Sequence, residues 1–282
     1  MSITVAVVAQ GTMGAGVGAA LTKGGARVIT SLEGRSVESA ARARAAGMQA
    51  ASDADMAQAD FILSIVPPGE ALAFAQRMAP HLRAAGEKPV FADLNAVNPD
   101  TAKVIAHVIE ATGAPFADGG IIGGPPKEGY TPAIYCSGAN ASAMAALRAH
   151  GLDIRVMEGD VGAASALKMC YGGVTKGLTA LGSAMMLAAL RSGADHALRD
   201  ELAASQPQLT PWFERQILAM YSKAYRWVAE MQEISEFVAA DEAASELFAA
   251  VAKFYERMAA DHAGAKAETG ALAAFLARKP GS

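Results

Sequence analysis

Cysteine is scarce in this chain, with only Cys136 and Cys170 among 282 residues. That count excludes a disulfide scaffold and a multi-cysteine metal centre at this length. The five histidines, His81, His107, His150, His196 and His262, show no HxH or HxxxH spacing, so no metal site is expected. Charge is also low. Charged residues make up 18% against 52% hydrophobic ones, which excludes a long disordered region. The formal net charge is -4 and no block of Lys or Arg occurs, which argues against a nucleic-acid or anionic-membrane partner. No basic leader precedes the first apolar run, and the longest apolar stretch, 174–190, contains Lys176 and ends at Arg191. It is short and charged for a membrane span, so a buried helix in a cytoplasmic protein is the expectation.

What the chain does have is alternation. Short apolar or β-branched runs at 4–8, 26–31, 61–66, 90–94, 115–118, 133–136 and 154–157 are separated by helical patterns such as 14–24 and 37–46. Near-continuous apolar strands between helices mark a mainly parallel sheet covered on both faces. After residue 160 the strand signal stops. One helix of about 30 residues, roughly 45 Å long, is expected over 161–190. Further helices are expected at 197–205, 211–231, 241–261 and 264–277. The reading is a doubly wound α/β Rossmann-type domain over 1–160 and an all-helical substrate or dimerisation domain over 161–282, joined by the long helix.

The first strand runs into Ala9, Gln10, Gly11, Thr12, Met13 and Gly14, followed by a helix of small residues. Strand, glycine loop and helix in that order form the setting of a dinucleotide fingerprint. Gly11 would let the backbone approach a pyrophosphate, and Gly14 would let helix and strand pack closely, with Ala9 at the first position where glycine is usual. At the end of the second strand, a carboxylate would select NAD through the ribose 2′-hydroxyl. With Ser31 at the strand tip, Ser31, Arg35 and Ser36 are suited to a 2′-phosphate, which favours NADP. With Glu33 there instead, NAD is the cofactor.

Between Asp160 and Lys176 the long helix carries one charge, Lys168, among Ala163, Ala164, Ala166, Leu167, Met169 and Cys170. An ammonium in such surroundings is paired, perturbed or facing a cleft, the conditions of a general acid/base, or else it snorkels to water. At about 100° per residue, Gly172, Thr175 and Thr179 share its face, and Lys176 lies about 80° away. Asp118 ends a strand and is read as a cap. Trp212, Tyr221, Tyr225 and Trp227 read as core or dimer contact along one helical region.

These motifs together resemble the β-hydroxyacid dehydrogenases, the superfamily of 6-phosphogluconate and 3-hydroxyisobutyrate dehydrogenases. The loop Gln10–Gly14 is similar to its cofactor loop. Residues 118–124, with Ile121, Ile122, Gly123 and Gly124, are similar to its substrate loop, and 162–168 to its catalytic helix. The helical remainder, with Arg226 to Met231, resembles a phosphogluconate-dehydrogenase-like branch. The resemblance implies an NAD(P)-dependent oxidoreductase acting on a small hydroxy acid, alcohol or matching carbonyl, with Lys168 as general acid/base. It implies that Val66, Pro67, Pro68 and Asn95 border the nicotinamide. The chain departs from the pattern at Gly172, where the family has Asn, and at Ile122, where it often has Ser. Both changes remove substrate hydrogen-bonding groups, so the expectation is a less polar pocket or one shaped for a bulkier or differently placed substrate. The alternatives are an NADPH-dependent imine reductase and a non-catalytic NADP-binding sensor. A homodimer is expected, because so apolar a helix needs cover on several sides.

Overall fold

The structure, a computed structural model, describes residues 3–278. Strands and helices alternate in the order β1 (Thr4–Val8), α1 (Thr12–Lys23), β2 (Arg27–Thr30), α2 (Val37–Ala45), β3 (Gln49–Ala50), α3 (Asp53–Met56) and β4 (Phe61–Ser64). They continue with α4 (Ala71–Ala84), β5 (Val90–Asp93), α5 (Pro99–Glu110), β6 (Phe116–Ile122), β7 (Ala133–Ser137) and β8 (Asp153–Val156). Six helices follow: α6 (Ala163–Ser192), α7 (Asp195–Ser205), α8 (Leu209–Met220), α9 (Ala224–Phe237), α10 (Glu242–Ala263) and α11 (Ala267–Ala277). The chain divides into two compact units, Met1–Met169 and Cys170–Ser282, with the division inside α6.

In the first unit the eight strands form one sheet in the order β3-β2-β1-β4-β5-β6-β7-β8. Every pairing is parallel except β6 with β7. The strands are apolar on both sides because both faces are covered. Val5 and Val7 enter one core with Val17, Leu21 and Ile134, while Ala6 and Val8 enter the other with Ile62, Phe91 and Ile105. This is the two-residue side-chain period of a strand distributing burial to both faces. Local caps set the helix starts. The Ser36 hydroxyl accepts from Ser39 N–H at 3.2 Å to begin α2, and Asn98, followed by Pro99, accepts from Thr101 N–H at 2.9 Å to begin α5.

In the second unit α9 packs along α10, with Trp227 edge-on to buried Tyr255 at 5.1 Å between ring centres. The buried guanidinium of Arg199 joins three helices. It donates to Glu214 at 2.8 Å and to the Leu276 carbonyl at 3.2 Å.

Two expectations change. The helix expected over 211–231 is two helices, α8 and α9, broken around Tyr221–Lys223. The ring of Tyr221 is drawn against His262 of α10 at 5.7 Å, and a tight turn from Lys223 N–H to the Met220 carbonyl (2.7 Å) replaces helical continuation. Packing overrides propensity there. The second change concerns α6, which has the 30 residues expected of it but is not too short for a membrane span, as the apolar run 174–190 was read to be. With an 18-residue window of mean hydropathy 1.3 it is long and apolar enough to cross a membrane, by length and composition alone. Its two lysines are engaged by protein groups, Lys168 by the Ile121 carbonyl and Lys176 by Glu230.

Candidate active site

The carboxyl ends of β1, β2, β4, β5 and β6 share one edge of the first unit's sheet, the place where ligands of open α/β sheets bind. There β1 runs into the glycine loop and α1. The first turn of α1 contains no acidic residue and no side chain caps it. Around Gly11 a Cβ would meet nothing within 4 Å, so its backbone is open to approach. At Gly14 a Cβ would meet the Ala9 carbonyl, so only glycine fits. An uncapped, positive helix end beside an open glycine suits a pyrophosphate. The residues present therefore fit a dinucleotide.

Gln10 is buried and turned inward. Its amide nitrogen donates to Thr30 Oγ1 and, at 2.9 Å, to the Ser31 carbonyl, tying the loop to the tip of β2. Thr12 stands exposed at the start of α1, and Met13 is half-buried beside it. The last residue of β2 is Thr30, so Ser31 follows directly at the strand tip and Glu33 falls in the exposed turn beyond. Arg35 is exposed in that turn. Ser36 spends its hydroxyl on the α2 cap. A residue that sequence reasoning missed joins them: Arg42 Nε donates to the Gln10 carbonyl at 2.9 Å, and Nη2 to Ser39 Oγ at 2.9 Å. Its only sequence signal is the three-residue step from Ser39 to Arg42 on one helix face.

Beyond β4, Val66 N–H donates to Asn95 Oδ1 at 2.6 Å, and Pro67 is exposed next to it. Asn95 is buried, and its amide nitrogen donates to Ser64 Oγ at 2.7 Å and to Asp93 Oδ1. This asparagine fixes the ends of β4 and β5 against each other. The carboxyl of Asp93 is pushed up to about 7, first by burial and then by the charge of Asp118.

β6 runs on past Asp118 through Ile122, because Gly119 and Gly120 continue the strand instead of starting a loop. At Gly120 a Cβ would lie 3.0 Å from the Ala164 carbonyl oxygen and 3.1 Å from Lys168 Cβ. The glycine lets α6 lie directly on the strand. Lys168, part-buried, donates its ammonium to the Ile121 carbonyl. Ile121 is buried and Ile122 half-buried, while Gly123 and Gly124 are exposed beyond them. Gly123 has φ 126°, which a side chain would strain. The following Pro126 would lie 3.0 Å from a Cβ at Gly16, so this segment leans on α1. The residues expected at the cofactor, beside the nicotinamide and in the substrate loop, and Lys168, thus all belong to the first unit.

Gly172 and Thr175 belong to the second unit. A Cβ at Gly172 would lie 3.6 Å from Ile234 Cδ1 and from Lys176 Nζ, and the Thr175 hydroxyl donates to the Tyr171 carbonyl at 2.8 Å. Lys176 pairs with Glu230, both largely buried, and sits 5.6 Å from the Trp227 ring centre.

Residues 4–164, more than half the chain, match the family described as the NAD binding domain of 6-phosphogluconate dehydrogenase. The chain belongs to this family, within the β-hydroxyacid dehydrogenase superfamily. Its first unit is an NAD(P)-binding Rossmann domain followed by helices. Residues 189–258 match a domain of unknown function. A curated relative, an uncharacterized 28.5 kDa protein of Methanothermus fervidus, is 31% identical over 157 residues, 55% of this chain and 58% of the relative's length. A solved structure of a conserved protein of unknown function, described as similar to 3-hydroxyacid dehydrogenases, is 27% identical. It superimposes with TM-score 0.70 over 91% of this chain and 99% of its own. The 3-hydroxyisobutyrate dehydrogenase of Mycobacterium tuberculosis, solved with L-serine, shares the fold at 21% identity and TM-score 0.67, over 93% and 96% of the chains.

Proposed function

We propose that this chain is an NAD(P)-dependent oxidoreductase of the β-hydroxyacid dehydrogenase type, acting between a small hydroxy acid or alcohol and the matching carbonyl compound. The observation that carries this reading is Lys168, the one charge of its helix before Lys176, set on the Ile121 carbonyl at the sheet edge shared with the glycine loop and Asn95. Lys168 protonates the carbonyl oxygen during reduction and takes the hydroxyl proton during oxidation. When bound, the nicotinamide cofactor supplies or accepts the hydride. Gln10, Gly11, Thr12, Met13 and Gly14 would hold its phosphates, with Val66, Pro67 and Asn95 beside the nicotinamide. Ser31 at the tip of β2, with Arg35 nearby, supports NADP as the preferred cofactor.

Ile122 and Gly172 supply no side-chain hydrogen-bonding group, which supports a substrate less dependent on carboxylate anchoring. The same observation favours a second reading, reduction of a C=N bond. The deciding experiment is NADPH oxidation with a panel of aldehydes, keto acids and cyclic imines. Turnover of one class names the reaction. Tight NADPH binding without turnover of any class rejects both enzyme readings in favour of a sensor.

We also propose a homodimer. Tyr171, Val174, Leu181 and Met185 stand exposed along α6 at steps of three, seven and four residues, one face of the helix. Val174 is 70% and Leu181 60% exposed, an apolar surface that a second copy would cover.

A further inference from the structure

The start of α6 hangs from a carboxylate far away in the chain. Asp118 on β6 is fully buried. Its Oδ2 accepts from Gly162 N–H at 2.9 Å, Ser165 N–H at 3.1 Å and the Ser137 hydroxyl at 3.0 Å. Its Oδ1 accepts from the Ser165 hydroxyl at 2.6 Å. The Ser137 oxygen in turn accepts from Ala164 N–H at 3.0 Å. Open N–H groups at the first turn of α6 are thus satisfied by side chains of β6 and β7. An anion there also meets the positive end of the helix.

Ser36, Ser52, Asn98 and Asp241 adjoin the helices they start, and Asp261 reaches the first turn of α11 from only seven and eight residues before it. A local cap stabilises a helix wherever the helix goes. Asp118 reaches α6 across 44 residues of sequence, so it fixes where the helix begins along the strand. Three residues further along that strand is Ile121, whose carbonyl takes the Lys168 ammonium. Three residues further along the helix from Ser165 is Lys168 itself. Three strand residues advance about 10 Å and three helical residues about 4.5 Å, so the lysine stem spans the difference. If the start of the helix slid along β6, the ammonium would leave Ile121.

We propose that Asp118, acting through Ser165, is the positioning residue that sets the place of the Lys168 ammonium. Its catalytic meaning rests on the acid/base reading of Lys168; the positioning itself does not.

The test reads the lysine directly and needs no substrate. Trace acetylation of the full chain with acetic anhydride, followed by peptide mass spectrometry, gives a labelling rate for every lysine across a pH series. Ser165→Ala removes one contact to Asp118 without changing charge, and Asp118→Asn disrupts the whole set. Both should speed labelling of Lys168 on the order of tenfold while exposed Lys253 keeps its rate, since a hydrogen bond to a charged group is being loosened. The control is Ser183→Ala, which deletes another buried hydroxyl bond of α6, to the Thr179 carbonyl at 2.8 Å, with no link to Asp118. An unchanged Lys168 rate in Ser165→Ala overturns the proposal, as does an equal rise in Ser183→Ala. If Asp118→Asn does not fold, all lysines label together, and the two serine variants decide. Should Lys168→Met keep full turnover while the labelling shifts as expected, the acid/base reading falls and the positioning stands.

Discussion

Asp93 and Asp118 occupy paired positions on the parallel strands β5 and β6, and Asp118 accepts four hydrogen bonds. Asp93 accepts from Asn95 through one oxygen, and its other oxygen is buried with no partner among the described residues. Two carboxylates in neighbouring buried positions do not both ionise freely. The Asp93 carboxyl is pushed from 3.8 to about 7, first by its burial and then by Asp118 beside it.

The sign of the pH effect follows. Between about pH 4 and pH 7 the folded chain keeps a proton on Asp93 that the unfolded chain has lost, so stability falls as pH rises through that window. Thermal melts should show the wild-type midpoint dropping by several degrees from about pH 5 to pH 8 relative to Asp93→Asn, whose amide mimics the protonated acid. Parallel curves for the two proteins would show that Asp93 ionises like an ordinary carboxyl.

Lys168→Met keeps the stem and removes the ammonium. In NADPH oxidation with the best substrate of the panel, kcat should fall by about 10²–10⁴-fold with cofactor affinity intact. Lys176 makes a poor control, because its loss strips Glu230 of a largely buried ion pair. Exposed Lys253→Met is the better comparison and should leave kcat near wild type.

The two arginines near the β2 tip should separate by cofactor. Arg35→Ala should weaken NADPH and spare NADH in a fluorescence titration, through loss of a contact to the 2′-phosphate. Arg42→Ala should weaken both cofactors, because its guanidinium holds the Gln10 carbonyl of the shared loop. Equal loss of NADPH and NADH in Arg35→Ala would reject the NADP preference.

At Gly120 the packing leaves no room for a methyl group, with the Ala164 carbonyl and Lys168 Cβ within about 3 Å of its place. Gly120→Ala should cost about 1–3 kcal/mol in chemical denaturation, as overpacking does, and lower kcat by pushing α6 off the strand. Gly124→Ala, where a Cβ would meet nothing within 4 Å, should leave stability near wild type.

Light scattering should give twice the chain mass at micromolar concentration, and Leu181→Glu should reduce it to one chain by setting a charge on the exposed apolar face of α6. A wild-type monomer at that concentration would reject the dimer.

Much of the first unit was legible because buried parallel strands are apolar along their length, as Thr4–Val8 and Phe61–Ser64 are. The two-residue β3, exposed at both positions, carries no such pattern. Gly119 and Gly120 read as a loop because a sequence does not show that a helix lies on them. The glycine loop and Lys168 were visible as local contrasts, a run of small residues and a lone charge. The two nets, Ser64 and Asp93 on Asn95 and Ser137 and Ser165 on Asp118, were not. Their members come from β4 to β7 and the start of α6, and each alone is an ordinary polar residue.

The single antiparallel pairing has a consequence for how such a molecule changes over time. β1, β2, β4 and β5 each hand the chain on toward a helix that covers the sheet, so a longer connection there would disturb the packed layers. β6 instead hands it to a hairpin, closed where Lys127 and Tyr130 exchange two hydrogen bonds at 2.9 Å, and returns it as β7. Hairpin tips accept inserted residues at little thermodynamic cost. Under the proposed function, the tip at 127–130 is the place to vary length in a library selected for altered substrate range, since Pro126 before it leans on α1.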